Sequence, residues 1–308
     1  MSEIPYNDFG TWIRKQFPFR VQKISVDAGF SCPNRDGTIS HGGCIYCDNR
    51  TFNPAYCSRN KSISEQIEEG KRFFSRKYPD MKYLVYFQAF TNTYGNIGDL
   101  KKKYEEALSI KDIVGIVIGT RPDCINDNIL DYIAELNKKY FTIVEYGIES
   151  ANNVTLQYIN RGHTFECSQT AVSKTKERGI LTGGHIIIGL PGEDKMESIR
   201  QAQIISEMGL DILKIHQMQI IRGTKLASEY EKKHFHLYDV DEYISVISHY
   251  IQHLNKNIIL ERFVSQSPKE LLIAPKWDLK NYEFTNRLIK YMNDNGAYQG
   301  KLETNGNL

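Results

Sequence analysis

Apolar residues recur along this chain in short runs, and most runs are followed by a longer segment with helical periodicity. The run at 113–119 is continuous and β-branched, which is typical of a strand buried on both faces of a parallel sheet. Six strands are predicted on this basis, at Val21–Val26, 83–90, 113–119, 141–148, 184–189 and 211–221. Helices are predicted at 62–77, 97–109, 126–139, 151–159, 164–178, 195–208 and 240–255.

The alternation of strands and helices predicts repeated right-handed crossovers, and therefore a parallel barrel or an open doubly wound sheet. Polar or glycine-rich segments follow the first five predicted strands, at 32–47, 88–94, 119–123, 149–152 and 189–193. Because the carboxyl ends of parallel strands meet at one edge of the sheet, we expect the functional site at that edge.

The length and the charge allow several classes of protein. A chain of 308 residues can form two domains or one α/β barrel. The net charge of +2 is no signature of polyanion binding, although a local basic patch is compatible with it. Such a patch would require Arg14, Lys15, Arg20 and the lysines at 101–103 to gather on one face.

The sequence indicates a cytoplasmic protein. No stretch approaches the roughly 18 apolar residues of a membrane span. The first residues contain no apolar run, so no signal peptide is expected. The six cysteines of a chain this long are more typical of reduced thiols in the cytosol than of a secreted disulfide framework.

Three of those cysteines, Cys32, Cys44 and Cys47, lie in the segment that follows the first predicted strand. Two residues separate Cys44 from Cys47, a spacing that lets two thiolates converge on one soft metal centre. A third cysteine without an obvious fourth favours an iron–sulfur cubane with one open iron over structural zinc, which usually has four ligands. A thioredoxin-type redox pair and unremarkable thiols are the alternatives that the spacing leaves open.

Taken together, these segments resemble the radical S-adenosylmethionine (SAM) superfamily over residues 20–260. The cysteines form Cys-x11-Cys-x2-Cys, a widened version of the usual Cys-x3-Cys-x2-Cys that is similar to the branch containing the Elongator catalytic subunit. The run Asp-Ala-Gly-Phe-Ser-Cys-Pro-Asn-Arg-Asp-Gly at 27–37, with Gly-Gly-Cys-Ile-Tyr-Cys at 42–47, resembles a bacterial group that neighbours the Elongator type.

The resemblance implies a fold and two cofactors. The fold is α/β, a partial (β/α)6 parallel barrel in residues 1–260 with a C-terminal extension at 261–308 that closes the barrel. Cys32, Cys44 and Cys47 would bind a 4Fe–4S cluster, whose fourth iron chelates S-adenosyl-L-methionine. An electron donor such as flavodoxin or ferredoxin would supply the electron that releases the 5′-deoxyadenosyl radical, so that the cofactor carries the hard chemistry.

The resemblance also implies which residues bind SAM. They are Tyr46 at the adenine, Gln88 and Asn92 near the amino group, Glu149 on the fourth strand, Arg161 at the carboxylate, His185 at the ribose, Ile188 or Ile187 in apolar contact, and Ile220 through backbone bonds. The usual Gly-Gly-Glu after the second strand is absent, so no single residue is assigned to the amino group. The alternatives are a structural ion pair between Glu149 and Arg161, and a satisfied core position for His185.

Candidate substrate residues lie on the sixth strand and in the C-terminal segment. His216 and Gln217, the candidate catalytic residues, point to opposite sides of a regular strand, so one of them should face the barrel interior. Arg262, Lys276 and Trp277 are candidates for nucleic-acid contact through charge and stacking, and packing in the core is the alternative for Trp277.

The nearness to the Elongator type implies modification of the C5 side chain of wobble uridine in tRNA, from carboxymethylaminomethyl to aminomethyl. The partner would then be tRNA, and no membrane would be involved. The same residues allow radical chemistry on a small metabolite or a protein side chain. An iron–sulfur or zinc-binding adaptor, in which the cysteines only hold a loop, is the non-enzymatic alternative.

Overall fold

The computed structural model of the protein describes residues 3–75 and 80–303. Its strands are β1 Val21–Val26, β2 Lys82–Phe87, β3 Ile113–Thr120, β4 Phe141–Glu149, β5 Leu181–Ile188, β6 Ile212–Gln217, β7 Ile220–Ile221, β8 Ile259–Arg262 and β9 Leu272–Ala274. Its α-helices are α1 Phe9–Gln16, α2 Ile63–Ser75, α3 Ile97–Leu108, α4 Asp127–Asn137, α5 Asn153–Tyr158, α6 Phe165–Lys176, α7 Lys195–Glu207, α8 Lys225–Lys232, α9 Val240–His253 and α10 Asn281–Asp294.

Seven parallel strands of the described chain form one sheet in the order β1-β2-β3-β4-β5-β6-β8. The strands are neighbours in their order along the chain, and the sheet curls into a half-barrel with the helices outside, as right-handed crossovers require. The predicted parallel α/β fold is confirmed. The sheet continues one strand beyond the six that were predicted, and the predicted domain boundary between residues 260 and 261 falls inside β8.

Several element ends differ from the prediction. β5 begins at Leu181, so Gly183 and Gly184 lie within the strand. A Cβ on Gly184 would approach the side chains of Leu210 and Ile148 to within 2.8 Å, which explains why this strand carries glycine. β6 ends at Gln217, and the two residues of β7 pair instead with β9 in an antiparallel ribbon. The helix predicted at 62–77 corresponds to α2, and its predicted end at residue 77 lies outside the described residues.

An apolar layer fills the half-barrel near the amino ends of the strands. Five strands contribute its buried side chains, two from β2 and one from each of the others: Leu84, Tyr86, Val117, Ile143, Ile212 and Ile259. Helix α1 covers this layer with Ile13, which is 8% exposed, and with the partly buried Trp12. The backbone before α1 also reaches the sheet, since the Leu260 amide donates to the Asn7 carbonyl at 2.8 Å. The amino end of the half-barrel is thereby closed, and the carboxyl end is left for the site.

Ile13→Ala should lower the free energy of unfolding by about 2–5 kcal/mol, because it removes apolar contacts and leaves a cavity in this layer. Urea denaturation followed by circular dichroism measures the change. Lys15→Ala on the exposed side of α1 is the matched control and should change stability by less than about 0.5 kcal/mol. Equal effects of the two substitutions would contradict the packing of α1 described above.

Candidate functional site

A cavity of about 790 Å³ opens at the carboxyl ends of the strands. All three motif cysteines line it, as expected from their position after β1. The other predicted site residues that line it are Tyr46, Gln88, Glu149, Arg161, His185, His216 and Gln217. Side chains from the loop after β8, among them Ser265 and Ser267, form part of the same wall. The sheet therefore gathers residues that are more than 200 positions apart in the sequence.

The cysteine loop is held from two sides by its own backbone. The Cys47 amide donates to the Cys44 carbonyl at 3.0 Å, which is the chain reversal expected from the two-residue spacing. Between these cysteines, the Ile45 amide donates to the Ile159 carbonyl at 3.0 Å and its carbonyl accepts from the Leu226 amide at 2.9 Å. The loop thus has fixed attachments to the end of α5 and the start of α8.

Cationic and amide donors surround the cysteines. Arg35 Nη2 donates to the Cys47 carbonyl at 2.6 Å, and Arg161 Nη1 and Asn34 Nδ2 each lie 3.6 Å from Cys44 Sγ. Burial raises the pKa of Cys47 to about 11, with the neighbouring Cys44 adding to the shift and Arg35 opposing it. Donors and positive charges of this kind favour anionic sulfur ligands.

The donor set fits a cluster better than a single metal ion. Among the described residues, no group of three or more Cys, His, Asp or Glu side chains is placed to hold one ion. In a 4Fe–4S cluster the three thiolates bind different irons, so they need not converge on one point. Two buried nitrogens in this part of the site, Arg121 Nη1 and Arg161 Nε, have no hydrogen-bond partner within residues 3–75 and 80–303, as expected of donors that await an anionic ligand.

Arg161 reaches the site from a tight turn after α5. Asn160 and Gly162 have φ values of 54° and 79°, and a Cβ on Gly162 would lie 3.1 Å from Asn34 Oδ1. The guanidinium then enters the mouth of the half-barrel, where Nη2 donates to the Gly147 carbonyl at 2.5 Å and lies 3.7 Å from Glu149 Oε1. The predicted pair of Arg161 and Glu149 is brought together. Whether the pair also binds SAM remains a prediction.

Three predicted cofactor residues do not line the cavity. Asn92 Nδ2 donates to the carbonyls of Phe87 and Gly119 at 3.0 and 2.8 Å, so this side chain joins the ends of β2 and β3. Ile188 is buried in the core, whereas Ile187 lines the cavity. In β7, Ile220 is fully buried and Ile221 lines the cavity instead. Direct SAM contacts of Asn92, Ile188 and Ile220 stay predictions.

The candidate catalytic pair takes two different positions. His216 faces the interior, with its ring centroid 5.2 Å from that of His185 and its Nδ1 2.5 Å from Ser265 Oγ. Gln217 accepts from the Ser265 amide at 2.6 Å and donates to the Ser265 carbonyl at 2.9 Å. His216 is therefore part of the inner wall, and Gln217 fastens the loop after β8 to the end of β6.

A buried ion cluster below the histidines was not predicted. Lys23 Nζ lies 3.0 Å from Glu145 and 2.7 Å from Glu261, and Lys214 Nζ lies 2.7 Å from Glu145 and 3.4 Å from Glu261. Burial opposes ionisation of Glu145, but Lys214 and Lys23 hold its pKa well below the ordinary range. Burial lowers the pKa of Lys214 to about 8 against the pull of Glu145, so both groups are charged at pH 7. The sequence feature from which this cluster could have been predicted is the presence of charged residues inside otherwise apolar strands.

The cluster also determines the position of His185, whose Nε2 lies 2.9 Å from Glu145 Oε2. Burial lowers the pKa of His185, and the hydrogen bond to Glu145 opposes that shift.

Of the candidates for nucleic-acid contact, Arg262 lies in the cavity wall and Trp277 packs against Phe284 with ring centroids 6.0 Å apart. The packing alternative for Trp277 is therefore the one observed.

Two family models match this chain, and curated proteins from bacteria and archaea are similar to it. The models are the Radical SAM superfamily, over residues 36–201, and the Radical_SAM C-terminal domain, over residues 210–294. "Uncharacterized protein YtqA" of Bacillus subtilis (strain 168) is 35% identical over 301 residues, covering 98% of this chain and 94% of that protein. A "tRNA uridine(34) acetyltransferase" of Methanocaldococcus jannaschii is 26% identical over 200 residues, covering 62% of this chain and 36% of that protein.

A solved structure shares the fold. The archaeal Methanocaldococcus infernus Elp3 with an N-terminal deletion superposes with a TM-score of 0.67 at 20% sequence identity. The match covers 91% of this chain and 64% of that chain. At this identity, the likeness concerns the arrangement of strands and helices.

No helix among residues 3–75 and 80–303 is long and apolar enough to cross a membrane.

Gly147→Ala should weaken SAM binding roughly tenfold or more, because a Cβ there would lie 2.7 Å from Arg161 Nη2 and 2.5 Å from Glu149 Oε1 and would displace both groups. Equilibrium dialysis of SAM against anaerobically reconstituted, unreduced protein measures the affinity. Gly95→Ala is the matched control, since its Cβ would meet only the Phe30 ring at 3.7 Å. Unchanged SAM affinity in Gly147→Ala would contradict a carboxylate-binding role for Arg161.

Proposed function

The chain belongs to the radical SAM superfamily, whose enzymes use a 4Fe–4S cluster and SAM, and on that premise we propose that it modifies wobble uridine in tRNA. The reaction is conversion of the carboxymethylaminomethyl group at C5 of the uracil to aminomethyl. The bound cofactors supply the 5′-deoxyadenosyl radical that starts this chemistry. The protein's own residues bind, orient and shield the reacting groups.

The observation that carries the substrate class is the similarity to a protein named tRNA uridine(34) acetyltransferase. The match covers about a third of that protein, so its acetyltransferase activity is not part of the proposal. The shared region extends over 200 residues, which is 62% of this chain. The substrate class is thus inferred by relationship rather than from the site alone.

The two ends of the cavity have different roles: the mouth binds the cofactors, and the inner wall faces the substrate. At the mouth, Cys32, Cys44 and Cys47 hold the cluster, while Arg161 and Glu149 suit the carboxylate and amino groups of SAM. At the inner wall, His185 and His216 face the space that a uracil side chain would enter. The loop around Ser265 covers this space and limits the access of water.

The surface offers cations beside the mouth for a tRNA backbone. A second groove, of about 760 Å³, runs along the other side of the cysteine loop and is lined by Arg35, Arg50 and Lys225. Arg50 and Lys225 are 67% and 72% exposed, so both can contact phosphate. Lys225 has only a loose pair with Glu229 at 3.8 Å, whereas Arg50 is oriented by a bidentate pair with Asp48. By contrast, Arg14 and Lys15 lie on α1 at the opposite end of the half-barrel.

An electron donor such as flavodoxin or ferredoxin and a location in the cytoplasm belong to the same proposal.

A deletion strain should accumulate carboxymethylaminomethyl uridine at the wobble position and lose aminomethyl-derived nucleosides, as measured by mass spectrometry of tRNA digests. Wild-type protein should restore the profile, and Cys44→Ala should not, because the cluster would lack one of its three thiolates. Cys167→Ala on α6, outside the cavity, is the matched control and should restore it. An unchanged wobble-uridine profile in the deletion strain would overturn the tRNA proposal and leave a small metabolite or a protein as the substrate.

A further inference from the structure

At the inner wall of the cavity, Arg262 carries a positive charge that the described residues do not neutralise. The four members of the ion cluster, Lys23, Glu145, Lys214 and Glu261, balance one another. Arg262, the last residue of β8, also lines the cavity. Among the described residues, no carboxylate forms an ion pair with Arg262, since both neighbouring glutamates are engaged by the lysines. A buried or partly buried guanidinium without a counter-charge favours an anionic ligand.

Two N–H donors at this wall also lack acceptors. Arg262 Nη2 lies 3.4 Å from His216 Nδ1, and because a guanidinium only donates, we assign the tautomer in which Nδ1 is the acceptor. The proton of the neutral imidazole is then on Nε2. Both His216 Nε2 and Arg262 Nε are buried and have no hydrogen-bond partner in the part of the chain that the structure describes. Leaving two such donors unmet is costly unless a ligand accepts from them.

His216 is held in this state by its surroundings. Burial, together with the positive charge of Arg262, keeps the pKa of His216 well below its ordinary value, so the ring is neutral at neutral pH. The other charged or titratable groups that face it are His185, Lys214 and Glu145. Ser265 Oγ, 2.5 Å from Nδ1, holds the ring in orientation from the loop after β8. The donors are therefore fixed before a ligand arrives.

We propose that Arg262 and His216 form a carboxylate-binding subsite that recognises the carboxymethyl group of the substrate side chain. The inference rests on the proposed function, because it is that side chain that carries a carboxylate. A carboxylate has two oxygens for the two free donors and a charge that matches Arg262. This subsite is separate from Arg161, the residue at the mouth that we assign to the carboxylate of SAM.

The subsite gives the enzyme a way to distinguish substrate from product. The carboxymethylaminomethyl group is zwitterionic at neutral pH, with a protonated secondary amine and a terminal carboxylate, whereas the aminomethyl product keeps only the ammonium group. Cleavage of the bond between that nitrogen and the carboxymethyl carbon therefore carries the anchoring carboxylate away in the departing two-carbon acid and leaves a cation without a compensating anion near Arg262. Charge complementarity thus favours binding of the substrate and release of the product.

The test compares two RNAs on anaerobically reconstituted, SAM-loaded but unreduced protein, so that no turnover occurs. An anticodon stem-loop with carboxymethylaminomethyl uridine should bind wild-type protein about tenfold more tightly than the same RNA with aminomethyl uridine, in line with one charged hydrogen-bonded contact. Arg262→Gln should lose this preference, and Arg262→Lys should keep part of it. Fluorescence anisotropy of labelled RNA measures both affinities.

Controls separate the possible sources of the anion. Arg222→Gln, an exposed arginine that donates to the Glu270 carbonyl, should keep the full preference. SAM affinity and iron content should be unchanged in Arg262→Gln; a loss of SAM binding would assign the subsite to the cofactor and overturn the proposal. A preference that survives in Arg262→Gln would overturn it as well. If wild-type protein restores the wobble profile in cells but binds both RNAs equally, the subsite is wrong and the proposed function stands.

Discussion

The site depends on the buried ion cluster that joins the two edges of the curled sheet. β1 and β8 do not pair with each other, yet Lys23 on β1 reaches Glu261 on β8 and Glu145 on β4. Charges taken out of water are stable only when each has close partners, and removing one member of such a pair typically costs about 3–5 kcal/mol. The cluster therefore constrains the curvature of the sheet, because the sheet must bring these strands together for the charges to be satisfied.

The same cluster organises the chemistry above it. Glu145 holds His185 in place, and because lysines engage both Glu145 and Glu261, no carboxylate of the described chain pairs with Arg262. At the mouth, a second set of constraints fixes the cysteine loop through Ile45 and the turn that carries Arg161. The two sets lie on opposite sides of one cavity. A cofactor held at the mouth and a substrate side chain held at the inner wall would therefore meet inside the half-barrel.

The sequence was informative where a pattern corresponds to one physical arrangement. Continuous β-branched runs predicted parallel strands, and the observed bounds of β1 are the predicted ones, Val21–Val26. It was less informative where burial depends on distant partners. β8 has only four residues, two of them charged, so it does not stand out as a strand, although its charges face Lys23 and His216. The open choice between Ile187 and Ile188 shows a second limit, since a one-residue shift along a strand reverses the side that a side chain faces.

The central claim is that three cysteines hold a 4Fe–4S cluster with one iron open to SAM. Electron paramagnetic resonance of the anaerobically reconstituted, dithionite-reduced protein tests it most directly, together with the iron content and the formation of 5′-deoxyadenosine. The account predicts about four irons per chain, a reduced-cluster spectrum that changes when SAM is added, and release of 5′-deoxyadenosine that depends on the reductant. Bound zinc, or a cluster whose spectrum is indifferent to SAM and which releases no 5′-deoxyadenosine, would contradict it.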